Sequence, residues 1–172
     1  NGMSGLIAWL ERLNAEDSKV RAILRRSLAF GPGQHIPAYP YIEPFLKGEQ
    51  GGWLRTVHYL VAGLWAAHWR EGRAGAAQTL AKACAMHQLK SGSASTERRF
   101  INLLDADQEQ LPHRLRQMVA LLGEQSIDFQ TLLDDLLRWN NESKSIQTQW
   151  ARDFYHTLAP KKPADTDMET AA

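Results

Sequence analysis

The sequence predicts an all-α protein, a single compact helical bundle of about seven to eight helices. Three observations carry that expectation. Apolar residues recur at three- and four-residue spacing in segment after segment, the period of one helix face. No stretch alternates apolar and polar residues as a half-buried strand does. Residues 53–69 are apolar nearly all round, as a central helix wrapped by the others must be. The 172 residues suffice for one domain with a sizeable core, expected over 4–159, and six tryptophans supply much of the area to bury.

Leu6, Trp9, Leu10 and Leu13 mark a first helix, and Val20, Ile23, Leu24 and Leu28 a second. The Pro/Gly-rich stretch FGPGQHIPAYPY then interrupts regular structure, and a short turn runs through Ile42, Phe45 and Leu46. After the central helix, REGRAG reads as a loop and the Ala-rich run 76–89 as a helix of close packing. A flexible Ser/Gly linker at 91–95 leads to a helix capped by Ser95 or Thr96, with Phe100, Leu103 and Leu104 inward. Pro112 fits the first turn of the next helix, whose stripe is Leu111, Leu115, Met118, Val119 and Leu122. Asp128 is a cap and Ile127 a staple against Leu132. The last helix, about 143–158, contributes Ile146, Trp150, Phe154 and Leu158. The tail from Pro160 has no apolar period and reads as disordered, and residues 1–3 read as a cloning remnant.

Composition narrows function mainly by exclusion. The lone cysteine, Cys84, rules out an internal disulfide, suits a reducing compartment and reads as a small buried filler. Acids and arginine early in the chain exclude a signal peptide, and the most apolar stretch carries Arg55, His58 and His68. The expectation is a soluble, cytoplasmic protein without membrane attachment. No metal motif, phosphate loop or nucleophile elbow occurs, and His58 and His68 are too far apart on their helix to share a ligand. Asp134 and Asp135 point to different sides of a helix, so they are no paired-carboxylate site. An enzyme, a metal or another cofactor is therefore not expected. Trp53, Trp65, Trp69 and Trp139 lie in apolar surroundings and read as core rather than as platforms for bases.

Net charge is only +1, so any anion-binding surface must come from local segregation. Lys19, Arg21, Arg25 and Arg26 fall opposite the apolar face of the second helix, with only Glu16 and Asp17 nearby to neutralise them. Arg98 and Arg99 stand in adjacent positions on what reads as the first turn of a helix, where the dipole disfavours cations. Arg114 and Arg116 flank the stripe of the next helix. Arginine suits phosphate oxygens through its planar fork. Charge alone leaves two readings open: a polyanion partner, or solvated arginines balanced by acids such as Asp105 and Asp107. Arg138 is set aside, because Asp134 and Asp135 precede it by four and three residues.

In this order the segments HIPAYPYIEPF, SGSASTERRFINLLDAD, LPHRLRQMVALL and IDFQTLLDDLLRW resemble the small subunit of type I-E CRISPR Cascade, the CasB family. The resemblance spans about residues 6–158 and is sharpest at Ile36 to Tyr39, Glu97 to Phe100, Leu115-Arg116 and Ile127 to Trp139. It implies a compact helical protein without enzymatic activity or cofactor. Two copies would lie along backbone subunits that carry guide RNA, beside a large subunit. A basic surface would stabilise the loop that guide RNA forms with target DNA and hold the displaced single-stranded DNA. Arg25 and Arg26 match the family's basic pair on its second helix, Arg98 and Arg99 the pair in its Glu-Arg-Arg motif, and Arg114 and Arg116 basic positions on the next helix. Asn140, Asn141 and Glu142 stand where further cations are expected, leaving Lys144 as the local candidate. The alternative is a helical scaffold that only bridges protein subunits, its arginines meeting acidic partner surfaces.

Overall fold

A computed structural model describes residues 5–48, 51–70 and 76–160. The expected remnant at 1–3, most of the loop at 70–75 and the tail beyond Pro160 lie outside the described residues. Nine α-helices and two 3₁₀ turns make up the described chain. These are α1 (Leu6–Glu16), α2 (Lys19–Arg26), α3 (Tyr39–Leu46), α4 (Gly52–His68), α5 (Leu80–Ser91), α6 (Ser95–Leu104), α7 (Leu111–Leu121), α8 (Phe129–Leu137) and α9 (Ser145–Leu158).

The all-round apolar helix is indeed central. From Val57 to Ala66 every residue of α4 is buried, against α1, α2, α3, α7 and α8. A second group forms where α5 lies along α9 and α6, and α6 meets α7. The apolar stripe of α7 is inward as expected, with Leu111, Leu115, Met118, Val119 and Leu122 all buried. Gly63 sets how closely the chain after α2 approaches α4. A Cβ there would stand 2.7 Å from Leu28 Cδ2 and 3.1 Å from Ser27 Oγ, so a side chain would push the two apart. Cys84 is fully buried, and burial pushes its thiol pKa up, as an inert filler requires.

Three local expectations need correction. Tyr39 to Tyr41 is helix rather than loop, because Pro40 occupies the first turn of α3, where a missing N–H costs nothing. The helix expected from 76 begins at Leu80. Gln78 is instead extended, its N–H donating to Ser126 O (3.0 Å) and its carbonyl accepting from Asp128 N–H (2.8 Å), and Thr79 caps α5. Neither Ser95 nor Thr96 caps α6. Thr96 is buried with Oγ1 3.0 Å from His87 Nδ1, and Gln88 Oε1 on the neighbouring helix accepts the Glu97 N–H (2.7 Å). The Ser/Gly segment is a tight turn, with Gly92 in the left-handed region and the Ser93 and Ser95 hydroxyls 2.9 Å apart. By contrast, Asp128 caps α8 as expected, accepting from Thr131 N–H at 3.0 Å.

Tryptophans tie the helices together. The indole N–H groups of Trp9, Trp53, Trp65, Trp139 and Trp150 donate to Tyr41 O, Leu136 O, Glu11 Oε1, Ala106 O and Asp135 Oδ2. Burial is the largest influence on Asp135 and raises its pKa above the ordinary 3.8, although Trp150 at 2.8 Å and Arg138 at 3.5 Å favour the charged form. The folded state therefore holds this proton more tightly than the unfolded chain. Its contribution to stability is greatest below the unfolded value and falls as pH rises through the raised one. Asp135→Asn keeps an acceptor for Trp150 and removes the titration. Its melting temperature should gain on that of the wild type between about pH 3 and about pH 7; a constant difference would exonerate the carboxylate.

Candidate nucleic-acid interface

The nine candidate cations occupy four helices or their ends. Lys19, Arg25, Arg26, Arg98, Arg99, Arg116 and Lys144 are exposed, and Arg21 and Arg114 are half-buried. Among the described residues the ion pairs are Glu43–Arg55, Lys90–Glu124 and Asp135–Arg138, so no described carboxylate neutralises any of the nine. Two of the nearby acids bond to backbone N–H groups instead. Asp17 spends Oδ1 on the Lys19 N–H (3.0 Å), and Asp107 spends Oδ1 on the N–H groups of Glu109 and Gln110.

On α2, Arg25 and Arg26 lie in the last turn, where the helix dipole favours cations. Arg21 behaves differently. Its guanidinium sits 3.7 Å from the Trp69 ring centroid and its Nε donates to Asn14 Oδ1 (2.8 Å), pinning α2 to α1 and the end of α4. On α6 the helix begins at Ser95, so Glu97 occupies the first turn and Arg98 and Arg99 fall just beyond it. The dipole cost expected for these arginines is thereby reduced. Neither guanidinium makes a hydrogen bond or ion pair with any described residue.

Helix α7 connects the two arginine pairs. Arg114 donates from Nη1 to Asn102 O on α6 (2.6 Å), while Arg116 donates from Nη1 to Leu28 O, just after α2. Two residues apart on a helix, they point to different sides, one toward each pair. Lys144 stands apart from these groups in sequence, in the left-handed region at the start of α9. Arg70 is a cation the sequence reading missed. It follows α4, and its Nη2 would lie 3.5 Å from a Cβ at Gly123, beside the end of α7. Nothing in the local sequence marks it, since only the packing of α4 on α7 brings it there.

Other polar clusters are structural. Arg55 makes a two-pronged bond to Glu43, which also accepts from the Tyr59 hydroxyl (2.5 Å). The Arg55 hydrogen bond outweighs desolvation and lowers the Glu43 pKa. His58 is neutral-favouring through burial, with Nδ1 2.7 Å from Leu54 O. Among the described residues no group of three or more His, Cys, Asp and Glu could hold a metal ion. No described helix is long and apolar enough to cross a membrane.

Fold and surface together define a helical protein whose candidate arginines on α2, α6 and α7 have no described carboxylate partner. The family described as CRISPR-associated protein Cse2 matches residues 20–155. A CRISPR-associated protein Cse2 of Thermus thermophilus is 45% identical over 164 residues, 94% of each chain. A solved Cse2-family structure from Thermus thermophilus superposes with a TM-score of 0.80 at 47% identity, covering 88% of this chain and 96% of that one. The CasB structure from M. ruber gives 0.74 at 38% identity, with 94% of each chain covered. A chain of a CRISPR RNA-guided surveillance complex shares the fold, with a TM-score of 0.76 at 22% identity over 97% of this chain and 95% of that one. The chain belongs to the Cse2 family, also called CasB.

Proposed function

We propose that this chain is the non-catalytic small subunit of a CRISPR Cascade surveillance complex. It holds the displaced non-target DNA strand through exposed arginines and so stabilises the loop that guide RNA forms with target DNA. Its partners are the guide-RNA-carrying backbone subunits, the large subunit, a second copy of itself, guide RNA and target DNA. Family membership and the fold shared with a chain of such a complex support the assembly. The observation that carries the DNA role is the set of nine cations that no described carboxylate neutralises. Leaving arginines unpaired on a protein of net charge +1 costs mutual repulsion, which a polyanion relieves. Guide–target pairing nearly balances the duplex it replaces, so modest contacts to the freed strand decide whether the loop persists. Such contacts need no base recognition, since pairing already supplies the sequence.

The test is permanganate reactivity of displaced-strand thymines in a reconstituted target loop. Complexes with the wild-type chain should protect those thymines, and complexes assembled with Arg98→Ala/Arg99→Ala should leave them reactive. Equal protection would assign these arginines to the protein scaffold. Failure to assemble before DNA is added would favour the bridging role.

A further inference from the structure

A cavity of about 290 Å³ opens between α2, α4 and α7. Its charged walls are Arg25, Arg70 and Arg116, delivered by three separate elements, and its floor is apolar, with Leu28, Leu64 and Val119. No described carboxylate lines it. Convergent guanidiniums over low-dielectric walls focus a positive field, and Arg116 commits Nη1 to Leu28 O while its remaining donors stay free. His68, also in the wall, sets Nε2 3.2 Å from Leu122 O at the end of α7. The three guanidiniums are chemistry for the anionic oxygens of a single phosphate group.

A second cavity, about 200 Å³, adjoins the first across the Arg116–Leu28 contact, which borders both. Its character is different. Phe30, Pro32, Tyr59, Pro112 and His113 line it. Phe30 is 49% exposed, and its ring stacks on His35 with centroids 5.0 Å apart and 11° between planes. The loop that carries it is braced, since the Tyr39 hydroxyl donates to Gly33 O (2.5 Å) and the Gln34 N–H to Gly31 O (2.9 Å). A large aromatic held half in water in a rigid loop, beside an apolar cleft, offers a face to a flat ring. An inorganic anion or an acidic side chain would use only the first chamber. A nucleotide uses both.

We infer that the two chambers form a single-nucleotide subsite, with a backbone phosphate among Arg25, Arg70 and Arg116 and the attached base against Phe30. The inference rests on the proposed binding of single-stranded DNA and adds to it a seat for one base. It makes Arg116 the divider that bonds the sugar-phosphate side while Phe30 takes the ring.

The experiment compares two strands on the full-length chain at low salt by fluorescence anisotropy. One is an oligothymidine of about twelve nucleotides, and the other an abasic strand with the same number of phosphates. The wild type should bind the thymidine strand at least about fivefold more tightly, the effect of one stacked base. Phe30→Ala should abolish that preference without changing abasic affinity, and Phe30→Trp should retain it. Arg25→Gln/Arg116→Gln should weaken both strands alike. Equal wild-type affinities, or a Phe30→Ala loss equal on both strands, would overturn the base seat while leaving phosphate holding intact. Binding to neither strand would sink the nucleic-acid reading and this inference with it.

Discussion

Trp139→Ala is expected to destabilise the folded chain by about 3–5 kcal/mol, the range for emptying a large aromatic site in a core. The site is severe for three reasons. Trp139 is 1% exposed and among the largest fully buried side chains, so truncation leaves a cavity that surrounding helices cannot close cheaply. Its Nε1 donates to Ala106 O (3.0 Å) in the connection between α6 and α7, and removal orphans a buried carbonyl. Its ring meets Trp150 edge-on at 5.1 Å, so α9 loses that packing contact as well. For a chain of this length the loss corresponds to a fall in melting temperature of about 10–15 °C. Trp139→Phe separates the causes, since it retains much of the ring and removes only the indole donor; it should recover more than half of the loss. A drop of less than about 3 °C for the alanine variant would show that the Ala106 connection and α9 do not depend on this residue.

Much of this core was legible in sequence because local pattern and tertiary burial agree. The stripe of α7, the all-round apolar α4 and the Asp128 cap each depend on spacings within one helix. What escaped depends on neighbours distant in sequence. Gln78 is extended because Ser126 and Asp128 offer backbone partners, and α6 is capped by Gln88 from α5, so neither signal lies in the segment it shapes. Helix α3 was hidden by its prolines, which read as loop until their places in the first turn and near its end are known. The charged surface divides the same way. The helical wheel puts Arg21 and Arg25 on one polar half, yet Trp69, far along the chain at the end of α4, draws Arg21 inward and leaves Arg25 facing a cavity. Arg70 and Phe30 enter the candidate site only through packing, and sequence periodicity carries no trace of either role.

That division leads to the largest functional effect. In assembled complexes, Arg25→Ala/Arg26→Ala/Arg98→Ala/Arg99→Ala should weaken the hold on the displaced strand by roughly several hundredfold near 0.1 M salt. Each phosphate contact to a single strand contributes about 0.7 to the slope of log affinity against log salt, so four lost contacts lower that slope by about 3. The loss should be the same for every target sequence, because none of these contacts reads a base. Arg21→Ala supplies the contrast. Its guanidinium is already spent on Trp69 and Asn14, so its removal should cost about 0.5–2 kcal/mol of stability through the lost stacking and leave the salt slope unchanged. If Arg21→Ala flattens the slope as much as the exposed arginines do per residue, general charge rather than placement governs the hold. If the quadruple variant leaves the slope unchanged in a complex that still assembles, phosphate release is not the source of the affinity, and these arginines serve the neighbouring subunits.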